Sequence, residues 1–100
     1  MRQRSRNEII ELLRGNREAI RGYGVERLGI FGSRAREEGT SASDLDVLVK
    51  LKAASFDSYM ELKFFLEDLL DCPVDLVMEH TLKPRLRPQI MKDLVDVTGL

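Results

Sequence analysis

The sequence predicts an α+β fold in two layers, a small mixed sheet packed by helices. Three observations carry that reading. Residues 25–31, 44–51 and 74–78 are short extended runs, and in the last two apolar and polar positions alternate with the period of a strand. Between the second and third runs, residues 56–70 carry Tyr59, Leu62, Phe65, Leu66, Leu69 and Leu70 as an apolar stripe at helical spacing. A helical crossover between two strands of one sheet implies that they run parallel.

Taken in order, the chain starts with a helix expected from about Ser5 to Arg21. Ile9, Leu12, Leu13 and Ile20 face inward, and Gly15 is a soft spot. Gly22 and Gly24 around Tyr23 end it. A strand from Val25 to Phe31 stops at Gly32, and Ser33 is expected to cap a short helical turn through Arg34, Ala35 and Arg36. Gly39 to Ser43 reads as a flexible connection whose hydroxyls are within reach of a ligand. The second strand spans Asp44 to Leu51 and the long helix Phe56 to Leu70, with Phe64 off its apolar stripe. Pro73 enforces a break before the third strand, Val74 to Met78. A last helix is expected from Pro84 or Pro88 to Val97, with Leu86, Ile90, Leu94 and Val97 inward.

The chemistry concentrates between Ile30 and Val49. Asp44 and Asp46 are two residues apart on a strand, so they project from one face, about 6.8 Å apart along the chain. Two carboxylates side by side repel, and a divalent cation removes the conflict. Mg²⁺ suits such hard oxygen ligands, usually taking one or two carboxylates plus substrate phosphates. By itself, Asp-x-Asp also suits a solvated strand start where Asp44 merely ends a turn. Gly32 and Ser33 add a second element: a glycine lets backbone approach a phosphate closely, and amides at a helix start favour anionic oxygens. Arg34 and Arg36 bring positive charge nearby. With strand two parallel to strand three, and strand one antiparallel to strand two, Gly32, Asp44, Asp46 and Asp75 arrive at the same end of the sheet.

Gly32-Ser33, then Asp44-Leu45-Asp46, then Asp75 on a later strand is a pattern that resembles the nucleotidyltransferase superfamily related to DNA polymerase β, in particular its minimal members. The resemblance runs through the whole chain in motif order. The segment from Phe31 to Val49 is also similar to the MNT half of HEPN/MNT toxin–antitoxin pairs. One departure stands out: many relatives read Gly-Ser-x-Ala-Arg-Gly, whereas Glu37 follows Arg36 here, placed to pair with that arginine.

The resemblance implies a polymerase β-like fold and a two-metal phosphoryl transfer. Asp44, Asp46 and Asp75 would be the catalytic and metal-binding residues, holding two Mg²⁺ ions typically about 3.5–4 Å apart. Gly32, Ser33, Arg34 and Arg36 would bind the ATP phosphates. The implied partner is a helical HEPN toxin, and the implied reaction moves AMP from ATP to a hydroxyl on it, expected to be a tyrosine. Two other readings stay open: an antitoxin that silences its toxin by occlusion alone, and a nucleotidyltransferase acting on a small molecule or RNA.

Length and composition agree with these expectations. One hundred residues are enough for one domain with a modest core. No apolar run approaches the ~20 residues of a membrane span, and the basic N-terminus lacks the apolar stretch of a signal peptide. A lone cysteine, Cys72, cannot form an internal disulfide, which fits a reducing cytoplasm. A net charge of −1 conceals +5 over residues 1–36, −8 over 37–79 and +2 over 80–100. The acidic middle holds the Asp motif. Arg2, Arg4 and Arg6 read as a solvated helix end, and no basic stripe runs the length of the chain, so nucleic acid is not expected as the main partner. His80 reads as a turn residue, and Arg85 and Arg87 as a solvated pair able to meet a partner or a triphosphate.

Overall fold

The computed structural model describes residues 5–37, 44–53 and 55–97. Its first helix is set by a reciprocal cap. The Ser5 hydroxyl accepts a hydrogen bond from the Glu8 backbone N–H, and the Glu8 carboxylate accepts one from the Ser5 N–H, each 3.2 Å long. Two donors that a helix start would leave unpaired are thereby satisfied. α1 (Arg6–Gly15) buries Ile9, Ile10 and Leu13. The single helix expected to Arg21 is in fact two, because Asn16 leaves helical geometry (φ −115°, ψ 19°) before α2 (Arg17–Gly22) resumes. Gly15 weakens the helix there, and the Asn16 amide donates to the Leu12 carbonyl at 2.8 Å, a local bond that competes with continuation. Ile20 on α2 reaches the same core as Ile9 and Leu13.

Four strands form one sheet: β1 (Val25–Phe31), β2 (Leu45–Leu51), β3 (Val74–Met78) and β4 (Val95–Asp96), in the order β3-β2-β1-β4. β1 is antiparallel to β2 and to β4, while β2 and β3 are parallel, as the crossover requires. Because side chains alternate along a strand, one face of the sheet presents Leu28, Ile30, Leu45, Val47, Val49, Val74 and Leu76 to the helices. The opposite face carries Asp46, Leu48 and Lys50. All later chemistry lies on that second face.

The crossover is α4 (Phe56–Leu70), capped by the Ser55 hydroxyl, which accepts from the Ser58 N–H at 3.1 Å. Leu62, Leu66 and Leu70 are buried at i, i+4, i+8, with Tyr59, Phe65 and Leu69 packed beside them. Phe64 lies off that stripe and is 59% exposed. Two hydrogen bonds pin α4 to β3. The Tyr59 hydroxyl donates to the Leu76 carbonyl at 2.7 Å, and Glu67 accepts from the Val74 N–H at 3.0 Å. They fix the height of β3 against β2, and with it the position of Asp75. Cys72 is free and half-buried.

The C-terminal segment departs from expectation. After a 3-10 turn (Glu79–Thr81) the last helix, α5, is only Arg87–Asp93, and the chain then extends into β4 instead of remaining helical to Val97. The outer edge of β1 offers unpaired backbone groups. Val95 and Asp96 pair with Ile30 and Gly29, and the Val97 N–H donates to the Leu28 carbonyl at 2.9 Å. Leu86, expected inward, is 46% exposed, whereas Val97 is buried. No helix among the described residues is long and apolar enough to cross a membrane.

Gly29 makes this seam possible. A Cβ there would meet Leu94 Cδ1 at 2.7 Å and the Val95 carbonyl oxygen at 3.1 Å. Gly29→Ala is therefore expected to lower stability by about 1–3 kcal/mol through overpacking. Amide exchange at Val95, Asp96 and Val97 should accelerate more than exchange in α4. Equal protection throughout in the variant would count against the seam.

Candidate active site at the Gly-Ser bend

The register of the sheet assembles the site. Phe31 on β1 is level with Asp46 on β2, and Asp46 is level with Asp75 on β3. Neighbouring strands are about 4.8 Å apart, so residues 31, 46 and 75 form one rank across three strands. Gly32 comes immediately after Phe31 and so lies beside Asp46. Its backbone has φ +76°, and a Cβ at this position would run into Asp46 Oδ2. Glycine is thus required twice over, for conformation and for room. Asp44 precedes β2 at the same end and is exposed, as is Asp75, while Asp46 is half-buried.

Electrostatics tie the three carboxyls together. The Asp46 carboxyl is pushed from 3.8 up to about 6, first by burial, then by the negative charges of Asp75 and Asp44, and by a hydrogen bond with Asp75; Arg36 pulls it partly back. In that bond the protonated Asp46 carboxyl donates and Asp75 accepts. Among the described residues no group of three His, Cys, Asp or Glu side chains is placed to hold a metal ion as it stands. Asp46 and Asp75 are level neighbours on β2 and β3, and Asp44 is exposed. The donor set nevertheless fits Mg²⁺: hard carboxylate oxygens from adjacent strands, carrying a repulsion that a cation would relieve.

The phosphate-loop residues separate into two groups. α3 (Gly32–Ala35) begins two residues earlier than expected, so Ser33 lies inside its first turn and is not its cap; Phe31 occupies that position without a side-chain bond. Arg34 is buried, only 7% exposed. A helix of one turn has no periodicity from which its inward face could be read. Arg36 stays near Asp46 and forms an ion pair with Asp93 on α5. Glu37 does not pair with Arg36 as expected; it faces Arg6 at 3.9 Å. Glu37 also has φ +62°, a left-handed conformation that glycine adopts more readily.

Two residues outside the motif prove to hold it. Arg6 donates to the Ala35 carbonyl at 3.2 Å, tying α1 to the end of α3. Asp93 anchors Arg36 from a point 57 positions along the chain. Neither carries a sequence signal, since both act through tertiary placement. The hydroxyls of Thr40, Ser41 and Ser43, like Arg2 and Arg4, lie outside the described residues. Arg87 is hydrogen-bonded to Glu79, at the opposite end of β3 from Asp75. It is therefore not part of this site.

The raised Asp46 value has a sign that can be tested. Between pH 3.8 and about 6 the folded protein holds a proton there that the unfolded chain has lost. This group therefore favours folding at low pH, and that contribution disappears as pH rises through about 6. In buffer with chelator, Asp46→Asn should gain in melting temperature relative to the parent as pH goes from 4 to 7. A difference that does not change with pH would contradict the assignment.

The chain matches the Nucleotidyltransferase domain family over residues 9–97. The protein adenylyltransferase MntA of Thermococcus cleftensis is 36% identical over 92 residues, covering 90% of this chain and 93% of that protein. A solved structure described as a candidate minimal nucleotidyltransferase is 40% identical, with a TM-score of 0.71, covering 86% of this chain and 93% of that one. A toxin–antitoxin crystal structure with AMP-PNP is 27% identical, with a TM-score of 0.68, covering 94% of this chain and 73% of its counterpart. With these matches and the rank of carboxylates beside the Gly-Ser bend, the chain belongs to the nucleotidyltransferase family and is a nucleotidyltransferase of the minimal, MNT type.

Proposed function

We propose that this protein transfers AMP from ATP to a hydroxyl group, expected to be a tyrosine, on a HEPN-type toxin, and thereby acts as its antitoxin. The observation that carries the reading is the level placement of Asp46 and Asp75 beside Gly32. A relative named as a protein adenylyltransferase and a neighbour solved as a toxin–antitoxin with AMP-PNP support the acceptor class and the nucleotide.

Asp44, Asp46 and Asp75 are the residues that would hold Mg²⁺. When bound, the ion supplies charge neutralisation at the phosphate oxygens and at the attacking and departing oxygens. The Gly32 amide and the Ser33 hydroxyl hold the β- and γ-phosphates, and Arg36, anchored by Asp93, adds positive charge at the same end. Asp75, exposed at the rim, accepts the proton of the acceptor hydroxyl. The acceptor oxygen bonds to the α-phosphorus, the bond to the bridging oxygen breaks, and pyrophosphate leaves. No side-chain nucleophile takes part, so positioning and charge supply the acceleration.

The test uses α-labelled ATP, Mg²⁺ and the candidate helical toxin. Label should appear on the toxin and fall by about 10²–10³-fold in Asp46→Ala or Asp75→Asn, the scale for removing one preorganised electrostatic group. Toxin neutralisation that persists in Asp46→Ala without any label would point to occlusion. Label on RNA or on a small molecule, with none on the toxin, would replace the acceptor.

A further inference from the structure

A second cluster of charge lies on the same sheet face, at the other end of β2. Lys50, Leu51, Lys52, Glu79, His80 and Arg87 line an open cavity of about 420 Å³. Glu79 is the only carboxylate among the described residues of that lining. It faces Arg87 at 3.3 Å and Arg27 at 3.9 Å, so one half-buried acid holds two guanidiniums in place. Lys50 and Lys52 are exposed, and their ammonium groups make no hydrogen bond or ion pair among the described residues. Lys50, Lys52 and Arg87 against Glu79 leave a local excess of two positive charges, in a chain whose net charge is −1. Lys50 lies on β2, Lys52 just past its end and Arg87 at the start of α5, while Glu79 on the 3-10 turn after β3 pairs with Arg87 and with Arg27 of β1.

We infer that this pocket docks an acidic segment of the protein acceptor and so positions the hydroxyl that receives AMP, an inference that rests on the acceptor being a protein. Lys50 is four residues beyond Asp46 and projects from the same face, about 13 Å away along the strand. An extended acceptor spans that distance in about four residues, and a helical one in about nine. An acid at either spacing from the modified hydroxyl reaches the lysines while the hydroxyl sits at Asp75. A cluster of one sign in a concave wall also raises the encounter rate of an oppositely charged partner. Single-stranded nucleic acid is the poorer fit: the lining has no Phe, Tyr or Trp on which a base could stack, and the cations converge on one cavity instead of tracking along a backbone.

The test separates this pocket from the transfer reaction. Fluorescein-labelled hexaglutamate is titrated into the full chain at low salt, without ATP or acceptor, and followed by anisotropy and backbone amide shifts. Shifts should centre on Lys50, Lys52, His80 and Arg87 and leave Gly32, Asp44 and Asp75 unmoved. K50E/K52E should weaken hexaglutamate at least tenfold, with ATP binding and melting temperature unchanged; K50Q/K52Q, a milder change, should weaken it less. Hexaglutamate that binds none of these proteins, or binds K50Q/K52Q and K50E/K52E as tightly as the parent, overturns the inference. So does hexauridylate that binds more tightly than hexaglutamate and is lost in K50E/K52E. Because the titration contains no nucleotide, a failure of AMP transfer leaves its outcome intact.

Discussion

The constraint from which the rest of this structure follows is the contact of Asp46 with its two neighbours, the Gly32 backbone on one side and Asp75 on the other. Carboxyls on adjacent strands would separate if the fold left them free to do so. They are held level because β2 and β3 pair in parallel, and because Tyr59 and Glu67 on α4 fix β3 at that height. On the other side, Gly32 leaves no atom where a side chain would push Asp46 away. Burial first, and then the neighbouring negative charges, push the Asp46 carboxyl up to about 6. Under the proposed function, a cation bound here would remove an unfavourable term already present between these carboxyls.

Much of this was readable from sequence because strong local signals coincide with element ends. Gly24 and Gly32 bracket β1, and Pro73 separates α4 from β3, so Val25–Phe31, Phe56–Leu70 and Val74–Met78 fall where the pattern places them. The rank of Asp46 and Asp75 follows from topology alone: a helical crossover makes β2 and β3 parallel, and parallel strands begin at one end. What local pattern does not contain is tertiary choice. β4 is two residues long, too short to show alternation, and exists because β1 has an edge to pair. Asn16 breaks the first helix through its own side chain. The direction of Arg34, buried from a single-turn helix, and the anchoring of Arg36 by Asp93 belong to the folded chain only.

α5 joins the two ends of the sheet's second face. Its first residue, Arg87, bonds Glu79 at the basic pocket, and its last, Asp93, holds Arg36 beside the carboxylates. Seven residues of helix span about 10 Å, close to the strand distance between Lys50 and Asp46. The same short element therefore touches both the basic pocket, through Arg87, and the acid cluster, through Asp93. Leu94, immediately after it, is fixed over Gly29, so neither end can slide without disturbing the β1–β4 seam.

That coupling bears on Glu37. A glycine would adopt this left-handed turn at little cost; here a side chain occupies φ +62°. The compensation visible in the fold is Arg6, which meets both Glu37 and the Ala35 carbonyl. The ion pair is exposed and, at 3.9 Å, a weak stabiliser of its own, so its value is geometric. It closes α1 over the end of α3 and fixes the exit of the chain toward residues 38–43. Arg36 sits between this clasp and Asp93, held by α5 and oriented by the turn that follows it. The positive charge next to Asp46 is thus placed by two separate parts of the chain, and neither lies within the Gly-Ser or Asp-x-Asp motifs themselves.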